Sequence, residues 1–334
     1  MSSQIRIMSF NILSDAPIWK KKWAYIKKEP WIYWDYRKTL ILKRILDNDP
    51  DIMCLTECEY NKIDYFSREL SEKYYYIYTS CEPKKSQDTI EKYSNYSHVQ
   101  NPGILIMFKK NIIRLINNHA LNYDYQFRKV AINEKWEDIK LNHFLKLCVS
   151  NMILFENIKT EKRFFFVGLH HFNDPNYGDV KYYQMYLLLE QINESNKYYN
   201  YPVIMCGDFN AIPNSGVIYL IKNNVLNESI LYDKGYGIGI DHEKIKSIGL
   251  PISIHLSKKF KSVYESVKGS EPKYTLYTEQ FKDCIDYIFV TNDVTIVGVK
   301  DVDKEIIDWI KNGLYMPNEK FPSDHIDLVV NIQF

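Results

Sequence analysis

The run PVIMCGDFNAIP at residues 202–213 constrains this chain more than any other stretch. Pro202 to Cys206 are mostly apolar and read as a short buried strand. Gly207 ends that strand, and glycine admits backbone paths that residues with a Cβ resist. Asp208 and Asn210 follow at its mouth, two positions apart. In extended geometry such residues face the same way. A carboxylate and a carboxamide are then presented together, which suits a phosphate or a hydrated metal ion. Gly, Asp and Asn are also ordinary turn formers after a strand, so the stretch alone leaves both readings open.

Other strand ends repeat the pattern. Residues 5–13, IRIMSFNIL, alternate towards a strand that ends at Asn11, an amide between Phe10 and Ile12. Residues 51–59, DIMCLTECE, form an apolar strand that breaks at Glu57, with Glu59 two positions on. Carboxylates past a buried strand are candidate ligands for Mg²⁺, which prefers oxygen. Glu59 serves equally well as the acid opening a helix over Asn61–Lys73; Glu57 fits that role less well. The strand RFFFVGL delivers His170 and His171, and adjacent strand residues point to opposite faces, so at most one of them enters a site, and a lone His at a strand end is more often structural than catalytic. Asp174-Pro175 then makes a turn. Residues 283–291, DCIDYIFVT, carry one acid into a buried strand at Asp286, and Asp324-His325 stands just before the last strand. An unpaired buried carboxylate is costly. His325 is the natural partner of Asp286, a pairing that fixes an imidazole tautomer and raises its basicity.

Between these points strands alternate with helices and no Pro/Gly/Ser-rich linker intervenes, so residues 1–334 are expected to form one α/β layered domain. Helices are expected over Tyr36–Asp49 (apolar stripe Ile41, Leu42, Ile45, Leu46), Gly178–Asn193 (buried face Val180, Tyr183, Leu187, Leu188) and 214–223. Further strands are expected at 74–79, 103–117 and 145–156. Residues 82–101 read as a polar loop. Residues 227–272 read as a long irregular substrate-side loop, and Gly235, Gly237 and Gly239 lack the strand and helix of a dinucleotide fingerprint. Trp19, Trp23, Trp31 and Trp34 lie among lysines; covering the domain edge is the favoured reading over stacking on bases. The formal net charge of +1 excludes a bulk basic field for long nucleic acid. Six scattered cysteines without paired zinc-ligand spacing read as reduced intracellular thiols. The N-terminus, MSSQIRIMSF, has no signal-peptide core, and no apolar run approaches the ~18 residues of a membrane span. A cytoplasmic protein without membrane contact is expected.

The ordered motifs SFNIL, CLTECE, GLHHFNDP, CGDFN, IDYIF and PSDH resemble those of the exonuclease–endonuclease–phosphatase superfamily. WIYWDYRK at 31–38, GDVKYYQ at 178–184 and the Tyr264–Phe289 stretch are most similar to the carbon-catabolite-repressor type deadenylases and their relatives nocturnin and angel. The resemblance spans about residues 5–334 and implies a bare catalytic domain. It implies a four-layer α/β sandwich, two packed mixed sheets flanked by helices. It also implies a Mg²⁺-dependent phosphodiester hydrolase, foremost a 3′-5′ exoribonuclease on poly(A) tails. Alternatives are a phosphatase or phosphodiesterase on a small nucleotide, an RNA end or a 2′,5′-oligoadenylate, or an idle RNA- or protein-binding module. Carried onto this chain, Glu57, Asn11 and Asp324 belong to the metal side. Asp208 activates the attacking water, Asn210 and His170 bind phosphoryl oxygens, and Pro175 contacts substrate. His325, oriented by Asp286, sits on the reacting phosphate. One or two Mg²⁺ ions fit, with Mn²⁺ as substitute; a pair ~3.5–4 Å apart would clamp both oxygens of the displacement. The partner is a single-stranded RNA 3′ end or a nucleotide. Thr56, Gly168 and Pro102 stand where the family usually has Gln, Asn and Asp.

Overall fold

The computed structural model describes residues 4–15, 29–80, 102–225, 251 and 253–334. Trp19, Trp23, the whole 82–101 loop and the three alternate glycines lie outside the described residues.

In chain order the elements begin with β1 (Ile5–Asn11), α1 (Trp34–Asn48), β2 (Ile52–Cys58), α2 (Ile63–Leu70), β3 (Tyr74–Thr79), β4 (Gly103–Lys109) and β5 (Ile113–Asn122). Next come α3 (Tyr123–Glu134), α4 (Asp138–Phe144), β6 (Val149–Asn157), β7 (Arg163–His170), α5 (Gly178–Asn196), β8 (Val203–Asp208) and α6 (Gly216–Asn223). The remainder is β9 (Phe260–Ser262), α7 (Val263–Lys268), β10 (Leu276–Tyr277), β11 (Lys282–Asp283), β12 (Asp286–Thr291), β13 (Thr295–Val299), α8 (Lys304–Lys311) and β14 (Leu328–Gln333).

Among the described residues, one six-stranded sheet runs β13-β14-β1-β2-β4-β3 and a second runs β5-β6-β7-β8-β12-β9. Each is mixed: β1–β2 and β7–β8 pair parallel, their other neighbours antiparallel. Strand alternation assigns the layers. Ile5, Ile7, Ile52 and Cys54 of the first sheet pack against Phe164, Phe166, Ile204 and Cys206 of the second. Met8, Phe10, Met53 and Leu55 face the other way, onto Ile41 and Ile45 of α1 and Phe66 of α2. Phe165, Val167, Val203 and Met205 pack on α3, α5 and α6. Helix, sheet, sheet and helix therefore stack in four layers, as the resemblance implies. With both faces covered, the central strands read as continuous apolar runs.

Several expected boundaries move. The first helix starts at Trp34, not Tyr36, and its buried face is Arg37, Ile41, Ile45 and Asn48, while Leu46 is half exposed. The 103–117 stretch splits into β4 and β5, which join different sheets. Residues 260–268, expected to be irregular, form β9 on the edge of β12 and then α7. The last strand begins at Leu328, and α5 is buried at every position from Gly178 to Met185 because α3, α6 and the second sheet enclose that end.

Candidate active site

The polar residues meet where the carboxyl ends of central strands from both sheets come together. Register places His170 of β7 opposite Asp208 of β8, and Asp208 opposite Asp286 of β12. Three titratable residues thus stand in one row across three strands. The first sheet brings Asn11 at the end of β1 and Glu57 near the end of β2, and the chain entering β14 adds Asp324 and His325.

Unusual backbone aims these side chains. Glu57 has φ +59° at the bulge between Thr56 and Cys58. A bulge adds a residue and re-aims its side chain out of the strand alternation. Gly207 has φ +143°, and a Cβ there would lie 2.0 Å from the Leu169 carbonyl oxygen. Asn210 has φ +49°, a left-handed conformation that Asn tolerates. The extended i, i+2 argument for Asp208 and Asn210 therefore fails, because the strand ends at Asp208. A turn joins them instead: Asn210 N–H donates to Asp208 Oδ1 at 2.8 Å, and Asn210 Nδ2 donates to the His171 carbonyl at 2.9 Å.

Asn11 is the bridge. Its Nδ2 donates to Glu57 Oε1 and to Asp208 Oδ2, each at 3.0 Å, and its Oδ1 accepts from Leu13 N–H at 3.0 Å. This occupies both amide hydrogens, so Asn11 orders two acids from different sheets. Glu57 Oε2 accepts from Ser14 N–H at 2.9 Å. His325 Nδ1 lies 2.8 Å from Asp286 Oδ2, and its Nε2 faces Asp208 Oδ2 at 3.9 Å. His170 Nε2 is 3.7 Å from the same Asp208 oxygen. His171 turns away into the core, 3.2 Å from the Tyr123 hydroxyl.

Burial pushes the Glu57 carboxyl up, but His170, the Ser14 N–H, Asn11 and His325 outweigh it and hold it below its ordinary value. Burial and then Asp286 push the Asp208 carboxyl up to about 6, against His325, His170 and the Asn210 N–H. Burial opposes a charge on His325, yet Asp286, Asp324 and Asp208 together raise its imidazole well above the usual range.

The donor set fits a divalent cation. Ligand atoms of Glu57, His170 and Asp208 lie within 4.8 Å of one another, as do those of Asp208, Asp286 and His325. Each Glu57 oxygen accepts one N–H and keeps a lone pair, and the carboxylate is held ionised. Asp324 stands outside both groups of ligand atoms; its Oδ1 is 4.0 Å from His325 Nε2. Pro175 is half-buried in the turn after β7, beside Asp174, whose Oδ1 accepts from Asn176 N–H at 2.9 Å. At the departure from the family pattern, a Cβ on Gly168 would come within 2.9 Å of Cys54 Sγ and Ile106 Cδ1, so this core leaves no room for Asn there.

Several residues that hold the site lie within the quoted stretches, yet nothing in those stretches says what their side chains touch. Thr275 Oγ1 accepts from the N–H groups of Ile285 and Asp286, and Thr275 O accepts from Ile326 N–H at 2.7 Å, tying the acid to the histidine loop. Ser323 Oγ donates to the Asn11 carbonyl at 2.6 Å. Lys181 Nζ donates to the Asn210 carbonyl at 2.7 Å, and burial pushes this ammonium down to about 8 despite Asp208 and Asp174. Only proximity in the fold reveals these partners.

Comparison with known proteins agrees with the geometry. The Endonuclease/Exonuclease/phosphatase family model matches residues 8–325. The CCR4-Not complex 3′-5′-exoribonuclease subunit Ccr4 of Saccharomyces cerevisiae is 27% identical over 341 residues, covering 98% of this chain and 38% of the relative. A probable Ccr4 of Enterocytozoon bieneusi is 28% identical over 306 residues, covering 89% of this chain and 58% of the relative. The chain thus spans between about two fifths and three fifths of these relatives' length. Among solved structures, ANGEL2, a 2′,3′-cyclic phosphatase, superposes with a TM-score of 0.74 at 21% identity, covering 99% of this chain and 96% of that one. The human Nocturnin catalytic domain gives 0.63 at 20%, covering 100% and 96%. The chain belongs to the endonuclease/exonuclease/phosphatase family, whose four-layer sandwich it shares.

Proposed function

We propose that residues 1–334 form one catalytic domain that hydrolyses phosphodiester bonds at the 3′ end of single-stranded RNA, with Mg²⁺ as cation and adenylate tails as the first substrate. The observation that carries this reading is the meeting of Glu57, His170 and Asp208 with the Asp286–His325 pair. The exoribonuclease relatives align over nearly the whole chain and support the RNA end as substrate. The net charge of +1 agrees, because gripping a few terminal nucleotides needs no long basic groove.

A bound divalent cation supplies charge neutralisation and polarisation of the phosphoryl oxygen. Glu57, Asp208 and His170 are the side chains that would hold it. Asp208, held by the Asn11 amide and facing His325, is placed to orient the attacking water and accept its proton. Asp286 fixes the His325 ring through Nδ1, so the protonated imidazole offers Nε2–H to a phosphoryl oxygen. Asn210 has one amide hydrogen left for the same group.

The test is a panel of 5′-labelled RNAs ending in A, U or C, with NADP and a 2′,5′-linked adenylate trimer, each with Mg²⁺ and with EDTA. A ladder shortening from the 3′ end, strongest for A and abolished by EDTA and by Glu57→Ala, is expected. Cleavage of NADP alone moves the protein to a nucleotide phosphatase, and cleavage of nothing moves it to a binding module.

A further inference from the structure

Arg37 is the largest fully buried side chain of the described residues and has no carboxylate within hydrogen-bond reach. Among the described residues its guanidinium donates only to backbone carbonyls. Nη1 reaches Ile12 O at 2.7 Å and Pro322 O at 3.1 Å, Nη2 reaches Leu13 O at 2.8 Å, and Nε reaches Ile32 O at 3.3 Å. Burial lowers the affinity of this group for its proton, and the fields of Asp15, Asp324, Glu57 and Glu59 oppose that loss. A desolvated cation is costly to hold, so its placement calls for a reason.

The acceptors supply one. Ile12 and Leu13 belong to the segment after β1, and Pro322 to the segment before β14. The first segment gives Ser14 N–H to Glu57 and Leu13 N–H to Asn11 Oδ1. The second presents Ser323, Asp324 and His325. Leu13 has φ +59°, a conformation that branched and bulky residues adopt only when their surroundings enforce it. Its carbonyl is held by Arg37 and its N–H by Asn11, so the clamp acts on both sides of the strained residue. Ser323 Oγ ties the same two segments through Asn11 O.

We infer that Arg37 is a positioning residue of the cation site: its planar fork fastens the Ile12–Ser14 and Pro322–His325 segments to each other, and its charge sits behind the acids that face the cation. Lysine cannot replace it, because a single ammonium lacks the planar, divergent donors that reach several carbonyls at once. The inference rests on the proposed hydrolase reading, and its test separates the two. In EDTA, hydrogen exchange of Arg37→Lys should show protection lost at residues 12–15 and 323–325 and kept in the central strands. Calorimetric Mn²⁺ affinity should fall at least ~10-fold, and kcat should fall with KM for a labelled RNA changing less than ~3-fold. Ser323→Ala removes the neutral half of the same tie and should show the same pattern more weakly, which keeps the test available if Arg37→Lys does not fold. Unchanged exchange at both segments, or unchanged Mn²⁺ affinity in a folded variant, overturns the inference. If the wild type binds Mn²⁺ yet cleaves nothing, the hydrolase reading fails while the exchange and affinity results still decide the role of Arg37.

Discussion

At His325 two demands conflict, since burial opposes the charge while three carboxylates favour it. Asp286 is the foremost of the three and the only one in direct contact with the ring. If the protonated ring serves the reaction, activity is lost as pH rises through its pKa. Asp286→Asn should then move the alkaline limb of the kcat–pH profile towards lower pH. A shift confined to the acid limb would show that the neutral ring is the working form. On the proposed mechanism Asp208 and His325 act on one phosphate, so Asp208→Ala and His325→Ala should each cost at least ~10²-fold in rate. The double variant should cost clearly less than the product of the two. Full multiplicativity in a double-mutant kinetic cycle would assign them to separate steps. The pairing of Asp286 with His325 is legible in the amino-acid order alone, because a buried acid needs a partner and one histidine precedes a late strand. The roles of Thr275 and Lys181 are not, since a threonine and a lysine carry no sign of which backbone atoms they will meet.

Strand β8 shows what one element demands of its sequence. Gly207 lies in register with Leu169 on parallel β7, and a Cβ at 207 would run into the Leu169 carbonyl. Gly207→Ala should therefore cost about 3 kcal/mol or more, at the severe end for single substitutions. Gly298 on β13 has nothing within 4 Å of an added Cβ, so Gly298→Ala should stay within ~0.5 kcal/mol, as surface changes do. Urea unfolding midpoints of the two variants give the comparison, and equal shifts would contradict the packing argument. The central strands are readable because both faces are apolar. Helix α3, YDYQFRKVAINE, escapes expectation because only Tyr123, Phe127 and Ala131 are buried among polar neighbours. The split of residues 103–117 between two sheets depends on a turn at Lys110–Ile112, and nothing in local sequence says that a hairpin-like pair will part company.

At the scale of the whole molecule, the two sheets bring their strand ends to one place, and the chain there is held by neutral buried groups as well as charged ones. His171 is 1% exposed. Its Nε2 meets the Tyr123 hydroxyl, and its Nδ1 is buried without a hydrogen-bond partner among the described residues. A protonated ring would bury a second N–H with no acceptor. Burial, then His170 and Lys181, push the His171 imidazole down to about 3 from an ordinary 6.5. The unfolded chain binds this proton at the ordinary value, so between about 6.5 and about 3 it holds more protons than the folded chain. Stability then falls as pH falls through that window, is intact above it, and is lost in full below it. The shift corresponds to roughly 4–5 kcal/mol at about 1.4 kcal/mol per pH unit. His171→Gln keeps a partner for Tyr123 and removes the titration. Chemical unfolding in EDTA from pH 7.5 to 4 should therefore give a steeper loss of stability for the wild type than for His171→Gln, with the curves converging or crossing towards acid. Parallel curves over the whole range would show that His171 accepts its proton in the folded chain and that the acid sensitivity lies elsewhere.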